Sequence, residues 1–341
     1  MKTYIKGELA YPTSLLLMAC LLSPNVMAEE EDEEDTGPFE LSGSVELQYN
    51  AIRGDSGHSY GTTFSADVET IYHFSDAVSA TASFKIEDAP DTSADADVDE
   101  AYLSWHIQPD DKLTLHAGRK SVPFGKHESA MLSDPLPKSL GSASKNRVLE
   151  LSTTQNKFSG YAYIFDGTAI DGSKNKRFGT GYGARLAYDG EFAGRPTQVG
   201  IDFISNLAEA DGFADGRVSR KIPAVSLHKS TQWGPVTLRG ESTFALKSPK
   251  VGDMDGAVTR ERKPSAHQIE IEYDLQNERK IAAAWNTTRN AEALGLSKRY
   301  VGIAYKQPIY KSIYGGVEIG ESKSYQGEKD RQFMLNVGYE F

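Results

Sequence analysis

The chain has a single cysteine, Cys20, and no run of about eighteen apolar residues such as a spanning helix needs. Disulfide scaffolding is therefore excluded. Basic clusters are also scarce. With 37 Lys and Arg against 48 Asp and Glu, the net charge is -11, which argues against nucleic acid as a partner. Nucleophile-elbow and metalloprotease motifs are missing, and the seven histidines show no close ligand spacing. Asp95-Ala96-Asp97-Val98-Asp99-Glu100 spaces carboxylates as a calcium loop does. It lacks the glycine at the sixth position and the distant glutamate, so a solvated loop is the simpler reading. No cofactor or metal is expected, and an enzyme is the lesser alternative. The missing apolar run does not exclude a membrane protein, because a transmembrane barrel places apolar residues only at alternate positions.

What the chain does have begins with an export segment. Lys2 and Lys6 precede the apolar core Leu15 to Leu22, and Val26-Met27-Ala28 offers a small-x-small cleavage site. Residues 1–28 are predicted to be a signal peptide. Processing as a lipoprotein at Cys20 is the alternative, and the apolar run continuing past Cys20 speaks against it. Residues 29–38 open with Glu29-Glu30-Glu31-Asp32-Glu33-Glu34-Asp35. Such a block cannot bury itself and reads as a disordered periplasmic tail, or as a cation- or partner-binding arm.

From 39 to 341 the dominant signal is period-two alternation. Phe333, Leu335, Val337, Tyr339 and Phe341 share one face of the last segment, with only Met334 breaking the pattern. Phe39-Leu41-Gly43-Val45-Leu47-Tyr49 is one face of the first. Segments of this kind recur to a total of sixteen, an even number as bacterial single-chain barrels require. Short turns are predicted at Ser75-Asp76, Pro109-Asp110, Gln155-Asn156, Trp233-Gly234-Pro235, Gln276-Asn277 and Gln307-Pro308, with a looser one from Gly190 to Pro196. Longer polar connections fall near 51–61, 88–97, 120–144, 167–177, 206–218, 247–262, 290–297 and 321–329. Short turns alternating with long loops predict an all-β, 16-stranded antiparallel transmembrane β-barrel of the bacterial outer membrane. Phe341 and Tyr339 resemble the terminal signal that the outer-membrane assembly machinery reads.

The third long connection, Lys120 to Ser144, is the longest, and its prolines and Gly125 give it a fixed shape. In this position it resembles the inward-folded constriction loop of sixteen-stranded porins; packing outside the barrel is the alternative. Ala117-Gly118-Arg119-Lys120-Ser121-Val122-Pro123-Phe124-Gly125, with Glu128, Met131 and Ser133-Asp134-Pro135-Leu136, resembles the LbtU-type siderophore porins. Asp99-Glu100-Ala101-Tyr102, Tyr163-Ile164-Phe165-Asp166-Gly167, Ile204-Ser205-Asn206-Leu207-Ala208, Gly234-Pro235-Val236-Thr237-Leu238, Lys263-Pro264-Ser265-Ala266 and Tyr339-Glu340-Phe341 extend the likeness in order along the chain. The resemblance implies passive ferric-siderophore uptake and, as in other sixteen-strand porins, a homotrimer.

A general porin, or an anion or phosphate porin for small hydrophilic solutes, is the alternative. Strict anion selectivity needs a cationic ladder, whereas the inward positions include Arg185 and Arg239 but also Glu46, Asp67, Glu69, Glu87, Glu100, Asp202, Glu241, Glu270, Glu272 and Glu318. Arg119, Lys120, Phe124, Lys126, Glu128, Asp134, Arg147, Arg185, Arg239 and Glu241 are the candidate constriction and solute contacts. The expected partners are outer-membrane lipid and lipopolysaccharide, the assembly machinery and a small solute. Intact-mass analysis of exported protein is expected to place the first residue at Glu29; retention of Lys2 or a lipidated Cys20 would overturn the predicted cleavage.

Overall fold

The computed structural model describes residues 37–88, 95–109, 112–167, 177–213 and 218–341. The export segment and most of the acidic tail lie outside the described residues. Sixteen strands run in order: β1 (Phe39–Gly54), β2 (Gly57–Ser75), β3 (Val78–Asp88), β4 (Asp95–Gln108), β5 (Leu113–Val122), β6 (Ala143–Gln155), β7 (Phe158–Gly167) and β8 (Arg177–Phe192), followed by a second set of eight. These are β9 (Arg195–Ile204), β10 (Ala224–Trp233), β11 (Val236–Ala245), β12 (Ser265–Asp274), β13 (Lys280–Arg289), β14 (Arg299–Tyr310), β15 (Ile313–Lys323) and β16 (Lys329–Glu340). Each pairs antiparallel with its sequence neighbours, and β16 returns to β1, so the sheet closes.

Alternation sets the two faces. Leu47, Leu103, Trp105, Leu186, Ile201, Ile269, Ile303, Ile319 and Leu335 stand exposed on the outside. Their inward neighbours Ser104, Asp202, Glu270, Glu318 and Asn336 are buried. An apolar outer belt with a polar interior is stable only where the outside is hydrocarbon. Among the described residues no helix is long and apolar enough to cross a membrane; the strands carry the crossing. Met334, the one break in the terminal pattern, is buried on the inner face.

Three connections differ from the sequence reading. The first long loop, expected near 51–61, shrinks to Asp55-Ser56, because β1 and β2 keep pairing to Gly54↔Gly57. Polar residues there continue the ladder rather than leaving it. The looser turn expected from Gly190 to Pro196 is the two-residue link Ala193-Gly194, with φ of 53° and 71°. Positive φ at both positions suits a right-twisted hairpin. The turn expected at Gln307-Pro308 falls instead at Lys311-Ser312, and Pro308 sits beside a register shift in β14. Proline has no N–H to give to a ladder, and an irregularity accommodates it. The calcium-like run from Asp95 is part of β4 rather than a loop. Residues 89–94 and 168–176 of the second and fourth loops lie outside the described residues.

The seam depends on a glycine. Gly43 and Phe341 exchange backbone hydrogen bonds of 2.9 and 3.1 Å, and the rings of Tyr339 and Phe341 stack at 5.8 Å. A Cβ at Gly43 would lie 2.7 Å from Phe341 Cζ and 2.5 Å from the Asp67 carbonyl oxygen. Gly43→Ala is therefore expected to displace the terminal ring at an overpacking cost of about 1–3 kcal/mol. Unheated gel electrophoresis across a temperature series measures this: the folded band should melt earlier than in wild type, and an unchanged midpoint would refute the cradle.

Candidate functional site

The third loop leaves β5 at Val122 and rejoins the wall at β6. Pro135 opens a short helix, α1 (Leu136–Gly141), whose Leu136 and Leu140 are buried. Gly125 takes φ +81°, and a Cβ there would strike the His127 ring and lie 2.9 Å from Glu241 Oε1. The loop backbone thus comes directly against the inner wall. It lies inside the barrel, held to the inward positions of β8 and of β11 to β15.

The attachments are specific. Glu241 on β11, only 4% exposed, accepts the backbone N–H groups of Lys126 at 3.0 Å and His127 at 2.7 Å. Glu270 on β12 accepts the Ala130 N–H at 2.9 Å and the Ser129 hydroxyl at 2.5 Å. Glu318 on β15 accepts the N–H groups of Leu132 and Ser133, the Ser133 hydroxyl and the Tyr300 hydroxyl. Asn286 on β13 accepts the Leu136 N–H at 3.2 Å. In the other direction, Arg185 donates to the Gly125 carbonyl at 2.7 Å and Lys306 to the Met131 carbonyl at 3.1 Å. Backbone amides facing an ionised carboxylate make the stronger class of hydrogen bond. The His127 side chain donates from Nε2 to the Phe124 carbonyl at 2.9 Å. Burial pushes its imidazole below the ordinary value although Glu241 pulls the other way.

Apolar packing completes the anchorage. Phe124, Leu136 and Leu140 join Tyr163, Phe165, Ile204, Leu207 and Phe213 in one buried cluster within the barrel. Met131 packs against Ala282, Ala284 and Ala304, small residues that give the loop room at the wall. The fifth connection contributes Leu207 and Phe213 from 3₁₀ turns at Leu207–Glu209 and Asp211–Phe213. The lumen is therefore filled on the β6-to-β13 side.

Open volume remains opposite. A cavity of about 630 Å³ is lined by Glu46, Gln48, Met131, Lys306, Tyr314 and Asn336 among others. Another of about 500 Å³ is bounded by Ser42, Ser44, Asp67, Glu69, Ser83 and Glu100. Glu46 accepts the Tyr314 hydroxyl, and Glu100 accepts the Ser121 N–H at 2.8 Å. Both donors are uncharged.

The ten candidate residues fall into distinct surroundings in the fold. Lys126 and Glu128 sit on the loop as an ion pair of 3.1 Å, and Asp134 pairs with Lys138 at 2.7 Å. Lys120 meets Glu150 at 3.0 Å and stands over the Tyr102 ring. Arg185 is tied to Asp202, and Arg239 to Glu270 and Glu272. With Glu241, Arg185 holds the loop to the wall, while Arg239 ties β11 to β12. Three residues leave the solute-contact set. Phe124 is 2% exposed and serves as an apolar anchor. Arg119 and Arg147 fall at outward-facing positions, level with Ala117 and Leu149, and pair with Asp97 and Asp166. Sequence reasoning marked Glu270 and Glu318 as inward from strand parity but assigned them no role. Ser129 and Ser133, two hydroxyls spaced along a loop, were the only local hint of their partners.

An irregular segment pinned inside a closed, apolar-belted sheet defines a transmembrane β-barrel of porin architecture, the class found in the bacterial outer membrane. Solved structures share the fold. The outer-membrane channel DcaP of Acinetobacter baumannii superposes with TM-score 0.61 at 13% identity, covering 89% of this chain and 97% of that one. OmpF of Salmonella typhi, solved with daunomycin, gives 0.63 at 13% identity over 92% and 100%. OprB of Pseudomonas putida gives 0.63 at 8% identity over 89% and 94%. No family model matches the sequence. By sequence the chain is similar to a UPF0422 protein of Coxiella burnetii, 27% identical over 223 residues, covering 61% of this chain and 47% of the relative. A UPF0422 protein of Legionella pneumophila is 27% identical over 239 residues, covering 61% and 43%. The chain spans about half the length of the curated relatives it matches.

Glu318→Ala removes the acceptor of three loop donors at once. Each orphaned buried donor costs about 1–3 kcal/mol, so the loop should detach locally while the barrel survives. Limited trypsin digestion is expected to cut at Lys126 or Lys138 faster than in wild type, and an identical digestion rate would refute the latch.

Proposed function

We propose that the protein is a passive outer-membrane channel, with its path along the side of the lumen that the third loop leaves uncovered. The observation that carries this reading is the one-sided anchorage: the loop is bound to β8 and β11–β15, and cavities remain beside β14–β16 and β1–β4. Lys126, Glu128, Asp134 and the Glu46, Glu69 and Glu100 carboxylates of the opposite wall are the proposed solute contacts. Residues 1–28 act as the export signal, 29–38 as a periplasmic tail, and Phe341 as the assembly signal. The working form is a homotrimer.

The cargo proposed is a ferric siderophore, on the resemblance to the LbtU-type porins. Planar-bilayer recording of folded protein should show steps of conductance without an energy source. Silence from correctly folded protein would sink the channel reading. Growth on the ferric siderophore as sole iron source should fail when the gene is deleted. Equal growth beside a lost uptake of another small solute would favour a general porin.

On the uncovered wall Glu46 and Glu100 are hydrogen-bonded by the uncharged Tyr314 hydroxyl and Ser121 N–H, so the path is expected to prefer cations. Reversal potential in a potassium chloride gradient should report a cation preference that falls in Glu69→Gln/Glu100→Gln. A preference for chloride would refute this assignment of the path.

A further inference from the structure

The outer face changes character at the loop end of five consecutive strands. On the lipid-facing side the last large apolar residues are Trp285 on β13, Val301 on β14, Ile319 on β15, Phe333 on β16 and Tyr49 on β1. All five are exposed. Two or four residues further toward the loops, the same face carries Arg289, Arg299, Lys323, Arg331 and Arg53, and Lys329 lies beyond Arg331. Register confirms their adjacency. Arg53 pairs with Arg331 across the seam, Arg331 pairs with Glu321 and Lys323 with Lys329, and Arg299 pairs with Lys323.

Among the described residues of these five strands, the six cations share one outward carboxylate, Glu321. Glu321 stands 3.9 Å from Arg299 and 3.8 Å from Lys329. The nearby Asp55 and Asp330 are engaged at the turn, where they accept the Lys329 and Ser56 N–H groups at 3.0 Å each. Cross-strand like charges such as Arg53 opposite Arg331 are destabilising in isolation, so a counter-anion is needed to make the arrangement favourable. Elsewhere on the outer rim the balance is different: Arg119 meets Asp97 at 2.8 Å and Arg147 meets Asp166 at 2.6 Å.

Position identifies the anion. At about 3.4 Å per residue, these side chains begin roughly 7–14 Å beyond the apolar belt, on the surface that faces lipid rather than the lumen. An anion at that depth, continuous with the hydrocarbon, is the phosphate of an outer-leaflet lipid. We infer that the outward face formed by Arg53, Arg299, Lys323, Lys329 and Arg331 binds the phosphates of a phosphorylated outer-leaflet glycolipid. Its acyl chains lie against Phe333, Ile319 and Val301. Guanidinium groups suit this ligand because they meet phosphate oxygens in a bidentate fork.

The test uses full-length folded protein in vesicles, with bis-phosphorylated lipid A or its dephosphorylated counterpart as probe, followed by repurification and lipid quantification. Wild type should retain the phosphorylated form about tenfold more than the dephosphorylated one. In Arg53→Gln/Arg299→Gln/Arg331→Gln that ratio should approach one, while Arg119→Gln, on a paired part of the rim, should retain it. Conductance of the triple variant should equal that of wild type, since no lumen residue changes; this separates failure of the lipid site from failure of the channel. Equal retention of both probes by wild type, or an undiminished ratio in the triple variant, would overturn the inference.

Discussion

A peptide N–H carried to the depth of the hydrocarbon has no water to pair with, so each one must find an acceptor inside the protein. In the wall that need is met strand by strand, and at the seam by the register from Ser44↔Glu340 to Gly54↔Asp330. Where the third loop is packed against the inner wall, away from the water of the lumen, its amides meet a like requirement without a ladder. Its amides at Lys126, His127, Ala130, Leu132, Ser133 and Leu136 point at Glu241, Glu270, Glu318 and Asn286 instead. One constraint thus produces both the closed sheet and the placement of the loop.

The solution has electrostatic consequences. Glu270 and Glu318 are essentially inaccessible, and a buried carboxylate is costly unless it is fully hydrogen-bonded. The loop supplies those hydrogen bonds, while Arg239 bridges Glu270 and Glu272 and Lys306 reaches the Met131 carbonyl. Wall and loop therefore stabilise each other: without the loop the carboxylates lose donors, and without the carboxylates the amides lose acceptors. A half-satisfied version of such a network is worse than none, which favours a single loop position over a range of them.

Much of the architecture was legible in the sequence, because the strand signal repeats every two residues and needs no tertiary knowledge. The terminal run from Phe333 to Phe341 and the alternation through Phe39 to Tyr49 suffice to place both ends of the barrel. Connections were less legible. Ala193-Gly194 forms a tight turn that a search for looser polar segments passes over, and Pro308 reads as a turn when it lies within a strand. The site was legible only by face. Parity identified Arg185, Arg239 and Glu241 as inward, yet whether an inward charge meets solute or loop depends on contacts distant in sequence, 60 residues for Arg185 with Gly125 and 115 for Glu241 with Lys126. Phe124 shows the same gap: an aromatic in a loop looks available until the cluster around Leu140 and Phe213 buries it. Arg119 and Arg147 were misplaced for a simpler reason. Their nearness to the loop in sequence was weighed above the parity they share with Ala117 and Leu149.

Asymmetry is the common thread of the remaining features. Because the latch residues occupy β8 and β11 to β15, the loop fills one side of the lumen and leaves the wall from β16 through β4 uncovered. That wall contains the seam, where Gly43 admits the Phe341 ring. The arc where outward cations outnumber carboxylates overlaps it at β16 and β1, beginning at β13 and ending at β1. A sheet supported from within by a packed loop resists deformation through that core. The uncovered stretch has no such support from the loop, and its rigidity rests on hydrogen bonds along the strands and on what covers its outer surface. A lipid bound by its phosphates across β14, β15, β16 and β1 would tie the latched strands β14 and β15 to the uncovered strands β16 and β1.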